Sequence, residues 1–289
     1  MSDQIFPAEI EYMIFMDALA IKGISESAVN LILVAKRIHM WLIPKLTETF
    51  AIRTFPPAQN YPTSWDVNIA TLTKYGIHTR NLFIWISPFP SSPYHDPLAA
   101  EYISLCPNLT NLVLWSAHSM DLPTPQLDAI ANLQALTHLS LNLKKISSSD
   151  WENPKLIRVL NRITHLHSVM IIASEQDITM FKHFTSVTHF VFPYPSDEDL
   201  VPRIWETLPT VEVLILLDYT NVDHISVRHD SQASMDDPKT VRIACRSDNE
   251  LDEWLLDVQK GRGFWGIADQ AVRERRKQKA ELHLQRLVD

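Results

Sequence analysis

Several residues of this chain stand at spacings that could support chemistry. His165-x-His167 could direct two imidazoles to one side of a strand, as a metal site requires. No third ligand of a suitable type lies near in the sequence, so we predict no metal site. Ser, His and Asp residues are numerous, yet the sequence brings no three of them together, and the glycine turns that support a nucleophile are missing.

A second chemical pattern is the run 261–266, Gly-Arg-Gly-Phe-Trp-Gly, which matches the dinucleotide-binding fingerprint. It follows a helical stretch rather than a strand, and bulky aromatic residues stand inside it, so we interpret it as a helix-breaking turn. The whole chain contains only five glycines, which disfavours loops that cradle phosphates. We therefore predict that the chain is not an enzyme, with no catalytic residue and no cofactor.

Composition limits the partners. The formal net charge of -8 offers no positive field to nucleic acid or to an anionic membrane surface, and we predict neither as a partner. No secretory signal and no apolar run of about 20 residues is present. Cys106 and Cys245 are far apart and in no metal-ligand spacing, which favours a reducing compartment over a disulfide framework. These features predict a cytoplasmic or nuclear protein.

The elements that would position any site follow a repeated pattern: an apolar residue, two positions, an apolar residue, one position and another apolar residue. The five good copies are Leu109/Leu112/Leu114, Leu136/Leu139/Leu141, Leu166/Val169/Ile171, Val187/Phe190/Phe192 and Val211/Leu214/Leu216. Weaker copies occur at Leu82/Ile84 and Val241/Ile243. Helical stretches are predicted between them, at 96–105, 125–133, 154–163, 175–184 and 197–208.

The copies recur at intervals of 21 to 30 residues, and leucine-rich repeats run about 20–29 residues with this strand signature. The pattern predicts an α/β fold, an irregular leucine-rich-repeat solenoid shaped as a right-handed horseshoe arc. The Asn or Cys usually found three positions after the last leucine is missing, because Ala117 and Lys144 stand there in the two best copies.

The two ends of the chain follow a helical pattern. Helices are predicted at 7–20 and 26–37, with a third short segment at 38–46. Residues from 247 onward are predicted to form a helical cap, whose basic run 273–279 is a solvated helix end or, alternatively, a nuclear-import patch. The predicted organisation is 1–50, a linker 51–78, the repeats 79–246 and the cap 247–289.

The N-terminal residues resemble the F-box, in particular that of fungal F-box proteins with degenerate leucine-rich repeats. The resemblance rests on Phe6-Pro7-x-Glu9-Ile10, Ile14-Phe15, the run 31–37 (Leu-Ile-Leu-Val-Ala-Lys-Arg) and Trp41-x-x-Pro44. It covers about residues 6–46. Phe6 stands where the family usually has Leu, and the loop between the first two helices lacks the usual Asp-Leu.

The resemblance implies a substrate-receptor subunit of an SCF-type cullin-RING ubiquitin ligase, in which ubiquitin transfer is done by other subunits. The F-box would bind a Skp-family adaptor, which in turn binds the cullin scaffold. Six apolar residues would be divided between contact with the adaptor and the internal packing of the F-box: Phe6, Pro7, Ile10, Ile14, Leu31 and Val34. The alternative is a non-ligase leucine-rich-repeat interaction scaffold, whose N-terminal helices only cap the solenoid.

Residues between the buried positions of each strand point to the opposite face and predict a target-binding surface. This face carries aromatic, histidine and amide side chains and no charge, and its strongest candidates are Trp85, Trp115, His138, Asn142 and His189. The third copy would add Met170 and Ile172. The alternative is that the C-terminal segment, with Phe264 and Trp265, folds over this face and buries it.

Overall fold

The computed structural model describes residues 10–14, 36–53, 69–86, 95–116, 121–169, 175–194, 200–219, 226–227, 239–245, 250–261 and 263–288. These residues form one α/β sheet with helices on both of its faces. The sheet has nine strands in the order β1-β2-β3-β4-β5-β6-β7-β9-β8. All neighbours pair in parallel except β8, which runs antiparallel to β9.

The strands are β1 Thr49–Arg53, β2 Asn81–Ile86, β3 Asn111–Ser116, β4 His138–Leu141, β5 His165–Ser168, β6 His189–Pro193, β7 Val213–Tyr219, β8 Ser226–Val227 and β9 Thr240–Cys245. The α-helices are α1 Lys36–Leu46, α2 Ile69–Tyr75, α3 His95–Ser104, α4 Thr124–Ala131, α5 Pro154–Leu160, α6 Glu175–Thr179, α7 Leu200–Thr207, α8 Glu250–Lys260 and α9 Phe264–Val288. Residues 10–14 are also helical.

Local sequence explains where the crossover helices begin. Asn153 caps the start of helix α5, because its side-chain oxygen accepts hydrogen bonds from the backbone N–H groups of Lys155 and Leu156 at 3.0 and 3.5 Å. Pro154 at the first helical position needs no hydrogen-bond acceptor for its nitrogen. A strong cap and a prolyl start fix the point at which the chain turns back along the sheet.

The first face of the sheet holds the main core. Alternate strand residues such as Leu112, Leu139 and Phe190 are fully buried there, together with Ile103 and Ile130 from the crossover helices. Parallel strands with helical crossovers require apolar residues on this side, and burying each large side chain stabilises the fold by about 1.5–3 kcal/mol. The repeated apolar pattern of the sequence corresponds to this layer.

The second face is covered by the two C-terminal helices. Helix α8 packs its Leu251 and Trp254 against Phe83, Val113 and Trp115 on the first strands. Helix α9 packs against the last strands, where its side chains join an apolar cluster made of Val191, Val213, Ile215, Leu217, Val241, Ile243, Cys245, Phe264, Ala268 and Val272. The sheet therefore lies between two helical layers.

The predicted fold class, a helical F-box followed by an irregular leucine-rich-repeat solenoid with a helical cap, is wrong. The described residues form a single mostly parallel α/β sheet, and its first strand, Thr49–Arg53, runs across the predicted boundary at residue 50. The C-terminal residues predicted as a cap do not close one end of the sheet; they lie across its second face, as the alternative for Phe264 and Trp265 predicted. A solenoid would leave that face open as the inside of an arc, whereas here both faces are buried.

Two strands are shifted from their predicted register. In β5, Leu166 pairs with Leu139 and His167 pairs with Ser140, so the strand lies upstream of the expected Val169/Ile171. Met170 and Ile172 lie outside the described residues. In β9, Ile243 pairs with Leu217 and faces the second helical layer. A one-residue shift moves a side chain to the opposite face of a strand, so apolar residues alone did not fix the side.

Helix α9 is the longest helix, with 25 residues. Arg275 donates a hydrogen bond to the Thr240 carbonyl of β9, and the helix is largely exposed from Arg273 onward. No helix in the described part of the chain is long and apolar enough to cross a membrane.

Candidate functional site

Three histidines occupy the same register on neighbouring strands of the second face. His138 pairs with His165, and His165 pairs with His189. Their rings are stacked, with centroids 4.0 Å and 4.2 Å apart. Each ring follows a threonine, and the Nδ1 atoms of the three rings lie 2.9, 3.0 and 2.8 Å from the hydroxyls of the preceding residues, Thr137, Thr164 and Thr188. Parallel pairing thus aligns a repeated Thr-His dipeptide into one column, the histidine stack.

A second polar row runs beside the histidine stack. The Trp115 indole donates a hydrogen bond to the Ser140 hydroxyl at 2.7 Å, and that hydroxyl lies 3.0 Å from Nδ1 of His167. His167 is only 3% exposed, and no atom of the described residues hydrogen-bonds its Nε2. A buried ring nitrogen with no partner is costly, by roughly 1–3 kcal/mol.

The C-terminal helices contact these rows through specific side chains. The Trp254 indole of α8 donates to the Asn111 side-chain oxygen at 3.1 Å. The Trp265 ring of α9 meets His165 edge-on, with ring centroids 5.2 Å apart. One helical turn further on, Asp269 lies 3.0 Å from Nε2 of His189. The helices are therefore held by hydrogen bonds and ring contacts in addition to apolar packing.

A tight corner joins α8 to α9. Gly261 has φ +58°, a conformation that favours glycine, and a side chain on Gly263 would collide with the Glu253 carbonyl. The Asp257 carboxylate accepts hydrogen bonds from the backbone N–H groups of Trp265 and Gly266 at the start of α9. The glycines that match the dinucleotide fingerprint thus form this corner, and a helix, not a strand, precedes them.

Burial controls the charge of these groups. Loss of water lowers the pKa of His138 to about 4, of His165 to about 2 and of His167 to about 3, with neighbouring histidine charge adding to the effect on the first two. Burial raises the pKa of Asp257 to about 7, and the backbone hydrogen bonds oppose that rise. At neutral pH the three histidines are uncharged.

A cavity of about 20 Å³ lies between the sheet and the corner, with room for about one water molecule. Its polar lining comes from Asn111, His138, Ser140, His165 and His167, and Trp254, Phe264 and Trp265 close it from the helical side. In the described part of the chain, no group of three or more His, Cys, Asp or Glu residues could hold a metal ion. His167 also contacts no carboxylate there, so the row does not form a catalytic triad.

The sequence-based target-binding residues are only partly brought together. Trp85 and Trp115 pack edge-on with ring centroids 5.8 Å apart, and His138 and His189 belong to the histidine stack. Asn142 does not join them; its side chain caps the short helical turn after β4 by accepting from the Lys144 N–H. A role in target binding stays a prediction for all five residues. The C-terminal helices cover the face on which Trp85, Trp115, His138 and His189 lie.

The predicted adaptor-binding residues lie mostly outside the described residues: Phe6, Pro7, Leu31 and Val34. The other two, Ile10 and Ile14, are 42% and 49% exposed. Their helical segment contacts α1 through Tyr12, whose ring packs edge-on against Trp41 at 5.9 Å between centroids. Tyr12 is itself 43% exposed, so this ring contact joins the segment to α1 without burying the Tyr12 side chain.

Sequence reasoning missed His165, His167 and Asp269 as members of the face. The signal that could have found the first is the dipeptide Thr-His, which recurs at Thr137-His138, Thr164-His165 and Thr188-His189. Aligning these dipeptides would have placed β5 in its observed register. Nothing in the sequence pairs Asp269 with a strand 80 residues away.

No protein-family model matches this chain, and no curated protein matches it significantly.

Proposed function

We propose that the chain is a non-catalytic substrate receptor that binds a Skp-family adaptor through its N-terminal helices. The observation that carries this proposal is a cluster of exposed apolar side chains on those helices. Ile10, Met13, Ile14 and Met40 are 42%, 58%, 49% and 59% exposed. Ile10, Met13 and Ile14 lie on the segment 10–14 and Met40 lies on α1, and large apolar residues exposed on such small elements indicate a protein-binding surface.

The orientation of these helices supports the same proposal. The contact between Tyr12 and Trp41 joins residues 10–14 to α1, and Leu42 of α1 is fully buried. This contact joins the two helical elements, while Tyr12 itself stays 43% exposed beside the other apolar residues. We infer that the adaptor covers these exposed residues and links the chain to a cullin scaffold, as the F-box resemblance implies.

In this proposal the second face of the sheet binds an unknown target protein, and other subunits transfer ubiquitin. The chain itself contributes no catalytic residue. Cys106 and Cys245 are buried and form no disulfide among the described residues, which suits the reducing cytoplasm or nucleus where such ligases act.

A second candidate is a non-ligase interaction scaffold, and one observation favours it. The C-terminal helices occupy the second face, with Trp254 4% exposed and Phe264 7% exposed. A protein whose aromatic face is filled by its own helices needs no target there. In that case the exposed apolar cluster of the N-terminal helices would bind a partner other than a Skp-family adaptor.

Co-expression of the full chain with a Skp-family adaptor tests the proposal. The parent chain should co-purify with the adaptor, and the Ile10→Asp, Ile14→Asp variant should lose at least nine-tenths of it because two charges would have to be buried in the contact. Ile77→Asp is the matched control, since Ile77 is 55% exposed on a different element and should leave capture unchanged. Capture by the double variant at the parent level, or by no form of a folded chain, would contradict the proposal.

A further inference from the structure

The second face of the sheet is already occupied by a helix, and the contacts of that helix describe what the face accepts. Trp265 of α9 meets the rings of His165 and His189 edge-on, with centroids 5.2 and 6.1 Å away. Asp269 lies 3.0 Å from His189 Nε2. Residues four apart lie on the same side of an α-helix, so one helical side presents an aromatic ring and a carboxylate together.

The side chains that the strands contribute to this face suit an aromatic ring and a carboxylate. The positions that line the cavity from β3, β4 and β5 are amide, hydroxyl, imidazole or apolar, and none carries a carboxylate or an ammonium group. His189 Nε2 can donate a hydrogen bond to a carboxylate, and any protonated member of the stack would attract one. A basic group at the same place would find no acceptor of opposite charge on the lining.

The seat of α9 has features that do not favour permanent closure. Asp269 is 41% exposed at the rim, and beyond Val272 the helix has few buried residues.

The geometry points to a partner for this face: a helix of another protein that carries an aromatic residue followed four positions later by Asp or Glu, seated in the place of α9. This inference rests on the proposed function for its biological meaning, because the partner helix would belong to the target. In the free chain, α9 fills the surface and keeps its aromatic and histidine residues out of water. A target with the matching helix would displace α9 at the histidine stack.

A labelled peptide with the sequence of residues 263–280 serves as the probe, measured by fluorescence anisotropy without adaptor. The host is the full chain with Trp265→Ala and Asp269→Ala, which loosens its own α9. We expect saturable binding, at least tenfold tighter than for the same peptide carrying Asp269→Lys. The tenfold preference for the parent peptide over the Asp269→Lys peptide should disappear when the host also carries His189→Ala, because the peptide's carboxylate then has no imidazole to contact. The parent chain should bind at least tenfold more weakly than the loosened host.

Several results would overturn the inference. Equal binding of the two peptides would show that the carboxylate is not recognised, and equal binding by parent and loosened hosts would place the peptide elsewhere. No binding by a host whose circular dichroism matches the parent would show that the face takes no helix from outside. Adaptor capture measured on the same hosts keeps this outcome separate from failure of the proposed function, since the substitutions lie on α9 and β6 and not on the helical segment that carries Ile10 and Ile14.

Hydrogen exchange on the parent chain covers the case in which the loosened host does not fold. If α9 can leave the face, its amides should exchange at least tenfold faster than those of β4, β5 and β6 under native conditions. Equal protection of α9 and these strands would mean that the helix leaves only on global unfolding. That result would overturn the inference whatever the peptide does.

Discussion

Acidification should destabilise the fold through the buried histidines. His138, His165 and His167 have pKa values lowered to about 4, 2 and 3 by burial, against 6.5 for a solvated histidine. The unfolded chain therefore binds more protons than the folded chain below pH 6.5, and the difference approaches three protons near pH 5. A lowered pKa contributes stability that is fully present above pH 6.5 and is lost as the pH falls towards the folded value.

The magnitude follows from proton linkage. Each proton corresponds to about 1.4 kcal/mol per pH unit, or about 2 kcal/mol between pH 6.5 and 5. Asp257 acts in the opposite direction, because burial raises its pKa to about 7 and the folded chain holds its proton in this range. The net effect is about two protons, which is a loss of about 4 kcal/mol over this interval. Typical domains are stable by about 5–15 kcal/mol, so a large share would be lost.

Urea unfolding followed by circular dichroism from pH 5 to 7 measures this slope. His138→Asn isolates one contribution, because Asn111 occupies the same register on β3 and shows that an amide fits the row. We expect the slope of unfolding free energy against pH to fall by about 1.4 kcal/mol per unit in this variant. His78→Asn is the control, since His78 lies in a short helical turn away from the stack.

Two results would refute the reasoning. The first is a stability that stays constant or increases as the pH falls from 6.5 to 5. The second is a His138→Asn slope equal to that of the parent chain, which would mean that this ring is not buried in neutral form.

Three further variants test other parts of the structure. Asp257→Asn should stabilise the chain by about 1–3 kcal/mol at pH 8 and by less at pH 5, because the cost of the buried carboxylate charge grows as the pH rises to about 7. Urea unfolding at both pH values measures this stabilisation, and an equal stabilisation at both would contradict the prediction. Gly263→Ala should lower the free energy of unfolding by about 3 kcal/mol, because its new methyl group would collide with the Glu253 carbonyl. Gly261→Ala should lower it by about 1 kcal/mol, because only its positive φ is unfavourable for alanine. Thermal unfolding compares the two variants, and a larger loss for Gly261→Ala would refute this account of the corner. Phe190→Ala should cost about 3–5 kcal/mol, because the ring is fully buried in the main core, and a urea midpoint close to the parent's would be inconsistent with that burial.

Much of the local structure could be predicted from the sequence. Every copy of the apolar pattern overlaps a strand, and the predicted helices at 96–105, 125–133, 154–163, 175–184 and 197–208 each overlap an observed helix. These predictions succeeded because strand and helix periods are local properties of the chain. The arrangement of layers is not local, since it depends on where the residues after 247 pack. The aromatic residues Phe264 and Trp265 were compatible both with a cap at one end of the sheet and with a cover over its second face, and the sequence alone did not decide between the two positions.

The candidate site shows the same division. Trp85, Trp115, His138 and His189 were placed on one face by strand alternation alone. Asn142 was not, because the strand ends at Leu141 and the side chain caps the next turn. The contact between Asp269 of α9 and His189 joins residues 80 positions apart, and such a pair leaves no spacing pattern in a single sequence.

The central claim is that the exposed N-terminal apolar residues bind a Skp-family adaptor, and light scattering of the co-expressed proteins on a size-exclusion column tests it most directly. We expect the parent chain and Ile77→Asp to elute with the adaptor as a complex of one copy each, and Ile10→Asp, Ile14→Asp to elute as a folded chain free of adaptor. A complex that forms equally well with the double variant would contradict the claim, as would a parent chain that elutes folded and alone.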